Sequence, residues 1–245
     1  TGPLIAGFAI DHAQYSVAYL ICGAFTLTAF ILAASGALRD LPLQGAHASP
    51  RQGSAFQMLL DPEMRRIYIV GILLAAAWDL FTFVTPIRGS QLGFSASTIG
   101  MILATFSVAT FTVRLAMPHI VRHFKEWQIL TGALSAATAC YFLFPFMQQP
   151  VTMALAAAGL GLALGTGQPN VLALLHHNAP AGRGAEAIGI RATIGNASAV
   201  MLPIAFGAAG TALGQFAVFW GLAAIIACGV PLAARKAFKR FDSTS

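Results

Sequence analysis

Apolar runs long enough to cross a bilayer follow one another along nearly the whole chain, each closed by a short polar turn. A membrane-spanning helix needs about 20 mostly apolar residues to cover a hydrocarbon core of about 30 Å. Backbone N–H and C=O groups in lipid have no water to bond, so runs of this length must satisfy them internally as helices. Composition points the same way: hydrophobic residues make up 57% of the chain and charged residues 9%, whereas a soluble domain is about a quarter charged. The expected fold is therefore an all-α polytopic membrane protein. A net charge of +6 could suit nucleic acid, but that use needs Lys and Arg gathered on one surface. Here they sit in small groups between apolar runs, so no nucleic-acid partner is expected. Cys22, Cys140 and Cys228 all lie inside apolar runs and read as small packing residues, with no disulfide framework or metal site.

One long polar interval breaks the pattern. Residues 39–66 carry Arg39, Asp40, Arg51, Asp61, Glu63, Arg65 and Arg66, and divide the chain into 1–38, the loop 39–66, and 67–245. Before the loop, Thr1 to Ile10 is too short to span and reads as the outer end of a helix. Asp11, His12 and Gln14 make a turn, and Ser16 to Leu38 is a full span. Within the loop, Ser54 to Leu60 suits a short interfacial helix. Asp61-Pro62-Glu63 then starts a helix, with Asp as cap, Pro in the first turn and Glu at the positive helix end. That helix runs to about Pro86. Further spans follow over Thr98 to Pro118, with Ser95 or Ser97 as cap, and over Trp127 to Met147, Val151 to Leu175, Ile188 to Ala209 and Phe216 to Ala234.

Alternating these spans across the bilayer places every Lys and Arg on the side of the central loop except Arg88. The positive-inside rule makes that side cytoplasmic, with the carboxy terminus on it. A missed or invented span would scramble the split, because all later loops would change sides.

The segment Pro3-Leu-Ile-Ala-Gly7 returns as Pro203-Ile-Ala-Phe-Gly207, and downstream Ala9 pairs with Ala209 and Tyr19 with Phe219. Parallel repeats related by an axis along the membrane normal are one way in which transporters are built. With this repeat, the chain resembles the major facilitator superfamily, whose members join two six-helix halves by a long cytoplasmic loop. By that resemblance the chain covers partial helix five through helix twelve: residues 1–38 end the first half and 67–245 form the second. Gly2-Pro3-Leu4-Ile5-Ala6-Gly7 is similar to the G-P-x-x-G-G motif on helix five of proton-coupled antiporters, with Ala6 in place of one Gly. Pro118 to Lys125 keeps only the basic character of the family's loop signature G-x-x-x-D-R-x-G-R-R. The resemblance implies about four further helices upstream of Thr1, which would be partners of this segment within the same protein.

Asp79 is the first candidate for chemistry. It lies about 17 residues, or about 25 Å, into its helix, past the midplane on the outer side. A carboxylate at such a depth costs at least ~2.5 kcal/mol unless it meets a cavity or a partner. Desolvation favours the neutral form of a carboxyl group, so one reading makes Asp79 a proton acceptor or a counter-charge for a cationic solute. The other makes it a structural carboxylate meeting water or Arg88. Trp78 beside it is either a packing residue or a stacking platform. Arg114 is either part of a pathway or a side chain reaching the headgroups from the inner end of its span.

Polar residues also gather on one later span. Gly161 and Gly165 have the spacing that lets helix backbones approach closely. Pro169 cannot bond the carbonyl of Gly165, and Thr166, Gln168 and Asn170 surround that weak point. The stretch reads as a broken helix lining a site or as a structural kink; Asn196 on the next span is a further polar candidate. There is no Walker A pattern, Gly-x-Ser-x-Gly or metal-ligand cluster, so neither ATP-driven transport nor a familiar hydrolase is indicated, and no cofactor is expected.

The expected function is secondary transport of a small solute by alternating access in a bacterial inner (plasma) membrane. The resemblance implies coupling to protons, with efflux antiport as one form of it. A polytopic membrane enzyme and a non-transporting sensor or scaffold are the alternatives.

Overall fold

A computed structural model describes residues 2–35 and 55–237. Most of the central loop and the end of the basic tail, with Lys239 and Arg240, lie outside the described residues. The elements are α1 (Gly2–Ala34), α2 (Ala55–Leu60), α3 (Pro62–Gln91), α4 (Ala96–His123), α5 (Glu126–Leu143), a single 3-10 turn at Phe144–Phe146, α6 (Pro150–Asn178), α7 (Gly184–Leu213) and α8 (Gln215–Ala237). No strand occurs among the described residues. Six helices, α3 to α8, are long and apolar enough to cross a membrane, and they coincide with the six spans expected after the central loop.

Local chemistry sets the helix starts. Asp61 caps α3 by accepting the N–H groups of Glu63 and Met64, each at 2.9 Å, with Pro62 in the first turn, where its missing N–H costs nothing. Ser95, not Ser97, caps α4 by accepting the N–H of Thr98 at 3.2 Å. Gly93 and Gly214 adopt φ of 75° and 80°, the left-handed conformation that ends α3 and α7 at low steric cost.

The turn expected at Asp11 to Gln14 is absent: α1 continues through it as one helix. The segment 11–14 contains neither Gly nor Pro, so nothing there opposes helix propagation. Asp11 instead accepts the N–H groups of Ala96 and Ser97, at 3.0 and 2.7 Å. Its charge thereby serves the N-terminus of a different helix, α4, where free N–H groups and the helix dipole favour an anion.

Cross-links between helix ends show that α3 to α8 alternate in direction. Lys236 at the end of α8 pairs with Glu63 at the start of α3. The Tyr68 hydroxyl, near the start of α3, donates to the Ala187 carbonyl near the start of α7, at 3.3 Å. Arg88, near the far end of α3, donates to the Pro145 carbonyl between α5 and α6, at 3.2 Å. Helix α3 is the hub: it touches α2 and every helix from α4 to α8, burying Ile67, Val70, Ala77, Leu80 and Phe81. The Tyr141 hydroxyl of α5 donates to the Ala77 carbonyl at its centre.

A close seam joins α4 and α6. A Cβ placed on Gly161 would stand 2.4 Å from the Phe106 carbonyl oxygen, and one on Gly165 would stand 2.5 Å from Val113 Cγ1. Thr110 bridges the same seam by donating to the Gly161 carbonyl at 3.2 Å. Helix α6 itself is continuous through Pro169, so of the two readings of that stretch the broken helix does not form.

Gly7 of α1 approaches α4 as closely, with a notional Cβ 2.4 Å from the Ala96 carbonyl oxygen. Its repeat partner Gly207 has open space around it and lines an apolar cleft of about 310 Å³ with Phe206 and Gly210. Pro203 lies half-buried within α7 and Pro3 lies in the first turn of α1. The two Pro-to-Gly segments thus resemble each other in sequence while sitting at opposite ends of their helices.

Candidate functional site

A cleft opens where α3, α6 and α7 meet, and it collects Asp79, Gln168 and Asn196 from the polar residues singled out above. One lobe, of about 210 Å³, is bordered by Gly71, Ala75, Asp79, Gln168, Arg191 and Asn196, among others. A second lobe, of about 140 Å³, shares Gly71, Ala75, Asp79, Gln168 and Arg191 and adds Leu74, Trp78 and Leu164. Space exists because Gly71, Ala75 and Asp79 recur every four residues, which stacks two minimal side chains below the carboxylate on one face of α3. At Gly71 a Cβ would press to 3.0 Å from Val171 Cγ1, so a larger residue would close the floor of the cleft.

Asp79 lies about 4 Å beyond the midpoint of α3. This is nearer the centre than expected, because α3 passes Pro86 and continues to Gln91. Its carboxylate is half-buried and makes no hydrogen bond or ion pair with a described residue. Arg88 does not serve it: nine residues on, it is about 13 Å further along the helix and half a turn round, bonded to Pro145.

Arg114 and Trp78 are brought together at the side of the cleft. The Arg114 guanidinium lies 5.8 Å from the centre of the Trp78 ring, within the range of a cation–π contact, and donates to Gln168 Oε1 at 3.2 Å. Trp78 in turn packs edge-on against Phe106, with ring centres 4.6 Å apart. Arg114 therefore has partners within the protein. Accepting that bond commits the Gln168 carbonyl oxygen and leaves the Gln168 amide N–H groups as donors.

Residues two apart on a helix point to opposite sides, so the polar group on α6 divides. Gln168 borders the cleft, whereas Thr166 and Asn170 are buried elsewhere and bond to their own helix: Thr166 to the Ala163 carbonyl at 2.8 Å and Asn170 to the Thr166 carbonyl at 2.7 Å. Asn196 borders the cleft from α7 and is exposed.

Arg191 was not among the residues expected from the sequence to matter, having been counted only as a positive charge near a span end. It forms the inner end of the cleft. Its Nε is fully buried with no hydrogen-bond partner, 3.7 Å from the Cβ position of Gly71. The nearest acid on its own helix, Glu186, is engaged by Arg183 at 2.8 and 2.9 Å. A buried donor left unsatisfied costs about 1–3 kcal/mol. The available signal was an Arg a full two turns inside α7, deeper than a headgroup-reaching side chain requires.

A family model described as Major Facilitator Superfamily matches residues 1–203 and, separately, residues 67–240. Both matches take in most of α3 and all of α4 to α6. A search of curated proteins found no match.

Proposed function

The chain belongs to the Major Facilitator Superfamily and is a multi-pass membrane transporter, and from that premise we propose that it moves one small solute by alternating access, driven by proton binding at Asp79. The observation that carries this reading is the unpaired Asp79 carboxylate near the centre of α3, facing a cleft with polar walls. A carboxylate held there without a cation survives because water or a solute reaches it, and a group that gains and loses a proton in such a place can tie proton movement to solute movement.

The cleft that Asp79 borders also carries Arg191 of α7, and Arg114 of α4 lies against the lining residues Trp78 and Gln168. The direction of transport we read as efflux antiport, supported by the Gly2 to Gly7 motif, whose Gly7 seats α1 on α4. The excess of Lys and Arg at one end of the bundle supports a cytoplasmic carboxy terminus in a bacterial inner membrane.

The test is solute-driven proton movement. Proteoliposomes of the complete protein carry a trapped pH dye and are challenged in turn with a panel of amines, sugars, amino acids and organic acids. Native protein is expected to give a pH change with at least one class, and Asp79→Asn none. Proton movement that survives in Asp79→Asn would remove the coupling role of this residue.

A further inference from the structure

The two ends of the cleft differ in chemistry, and the difference specifies a ligand. At the inner end Arg191 presents a guanidinium whose Nε is buried without a partner, and whose charge no carboxylate among the described residues pairs. Gln168, with its carbonyl oxygen held by Arg114, offers N–H donors to the same space, and Asn196 adds an amide. The carboxylate that borders both lobes, Asp79, stands two turns, about 12 Å along α3, beyond Gly71, which sits against Arg191.

A donor-rich pocket around an unpaired guanidinium is complementary to an oxyanion. A planar carboxylate matches the guanidinium's fork of N–H groups. The second lobe, which shares Arg191, Asp79 and Gln168, adds Leu74, Leu164, Val171 and Trp78, so one side of a mixed wall suits a compact apolar or aromatic body.

We propose that Arg191 is the anchor of an anion subsite, and that the solute is a small organic carboxylate bound with its charged group on Arg191 and its apolar body toward Leu74 and Trp78. This rests on the reading of the cleft as the transport path and adds the charge and shape of the cargo. Arg114 contributes through Gln168, and Asp79, at the far end, is left free to titrate.

The experiment measures the local potential and the occupancy together. Ala192, which borders the cleft beside Arg191, is replaced by Cys in a background with Cys22, Cys140 and Cys228 changed to Ser. Labelling rates are compared for two small methanethiosulfonates, one bearing a sulfonate and one a quaternary ammonium, each normalised to its rate with a free thiol in solution.

The anionic reagent is expected to be favoured at least about tenfold. Arg191→Lys should keep that preference and Arg191→Gln should abolish it, and excess benzoate should slow labelling while tetraethylammonium does not. Because Arg191→Gln can fail to fold, the benzoate and Arg191→Lys arms stand without it. Brisk labelling with no charge preference, or equal protection by the cation, would overturn the anion subsite while leaving the cleft an aqueous path. No labelling by either reagent would overturn both.

Discussion

The seam between α4 and α6 makes a quantitative test of the packing that holds the cleft in shape. In Gly161→Ala the new methyl group would lie 2.4 Å from the Phe106 carbonyl oxygen and 2.9 Å from Ala109 Cβ. Both neighbours belong to backbone or stand directly on it, so neither can swing aside. The helices must separate by about 1 Å to reach ordinary contact. Overpacking of this kind costs about 1–3 kcal/mol, and the separation also strains the Thr110 bond to the Gly161 carbonyl, a type of contact worth about 0.6 kcal/mol in a membrane. Gly132 on α5 is the control, since a Cβ there meets nothing within 4 Å. Replacing a helical Gly by Ala in open space gains about 0.5–1 kcal/mol. That gain is common to both variants, so they should differ by the overpacking and the strained bond, about 1–3.5 kcal/mol, Gly161→Ala being the weaker. Unfolding in mixed micelles, followed by the fluorescence of Trp78, Trp127 and Trp220, reads this difference directly. If Gly161→Ala proves as stable as Gly132→Ala, the close approach of α4 and α6 is wrong, and with it the placement of Gln168 against Arg114.

Asp61→Ala removes the acceptor for two N–H groups at the start of α3 and should lower stability in the same assay by about 0.5–2 kcal/mol, whereas Asp61→Asn should lose much less. Tyr141→Phe deletes the buried hydroxyl that donates to Ala77 and should cost about 0.5–1.5 kcal/mol without altering labelling inside the cleft. Asp79→Asn removes an unpaired charge from the middle of a span, so it should leave stability unchanged or raised while abolishing proton movement. A large loss of stability would assign Asp79 a structural partner instead.

Much of this architecture was legible because it depends on chemistry local to the chain. Span lengths, the Asp61 cap and the six helices after the loop follow from hydropathy and from residues that start or stop helices. The continuity of α1 was harder to read: the polar residues near position 11 resemble a turn, and the actual role of Asp11, capping α4, depends on a helix some 85 residues away.

Within the site, Asp79 stood out because a carboxylate is expensive at that depth wherever it points. The grouping of Thr166, Gln168 and Asn170 was less informative. Proximity along a helix says nothing about facing, and only Gln168 turns to the cleft. Arg191 escaped notice because a lone Arg in a span is ordinarily read as reaching the headgroups. That its Nε is buried and unpaired is a property of the fit between α3 and α7, which rests on Gly71 and not on any feature of α7 itself.

The measurement that bears most directly on the cleft as a transport path is water access at its walls. Single cysteines replace Ala75 and Asn196, which border the cleft, and Phe111 and Leu155, which are 64% and 68% exposed on outward helix faces. Each is treated with a water-soluble, membrane-impermeant maleimide in vesicles open to both sides. Ala75→Cys and Asn196→Cys are expected to label, while Phe111→Cys and Leu155→Cys, facing lipid, stay silent. Silence at both cleft positions, or equal labelling at all four, would contradict a water-filled path between α3, α6 and α7.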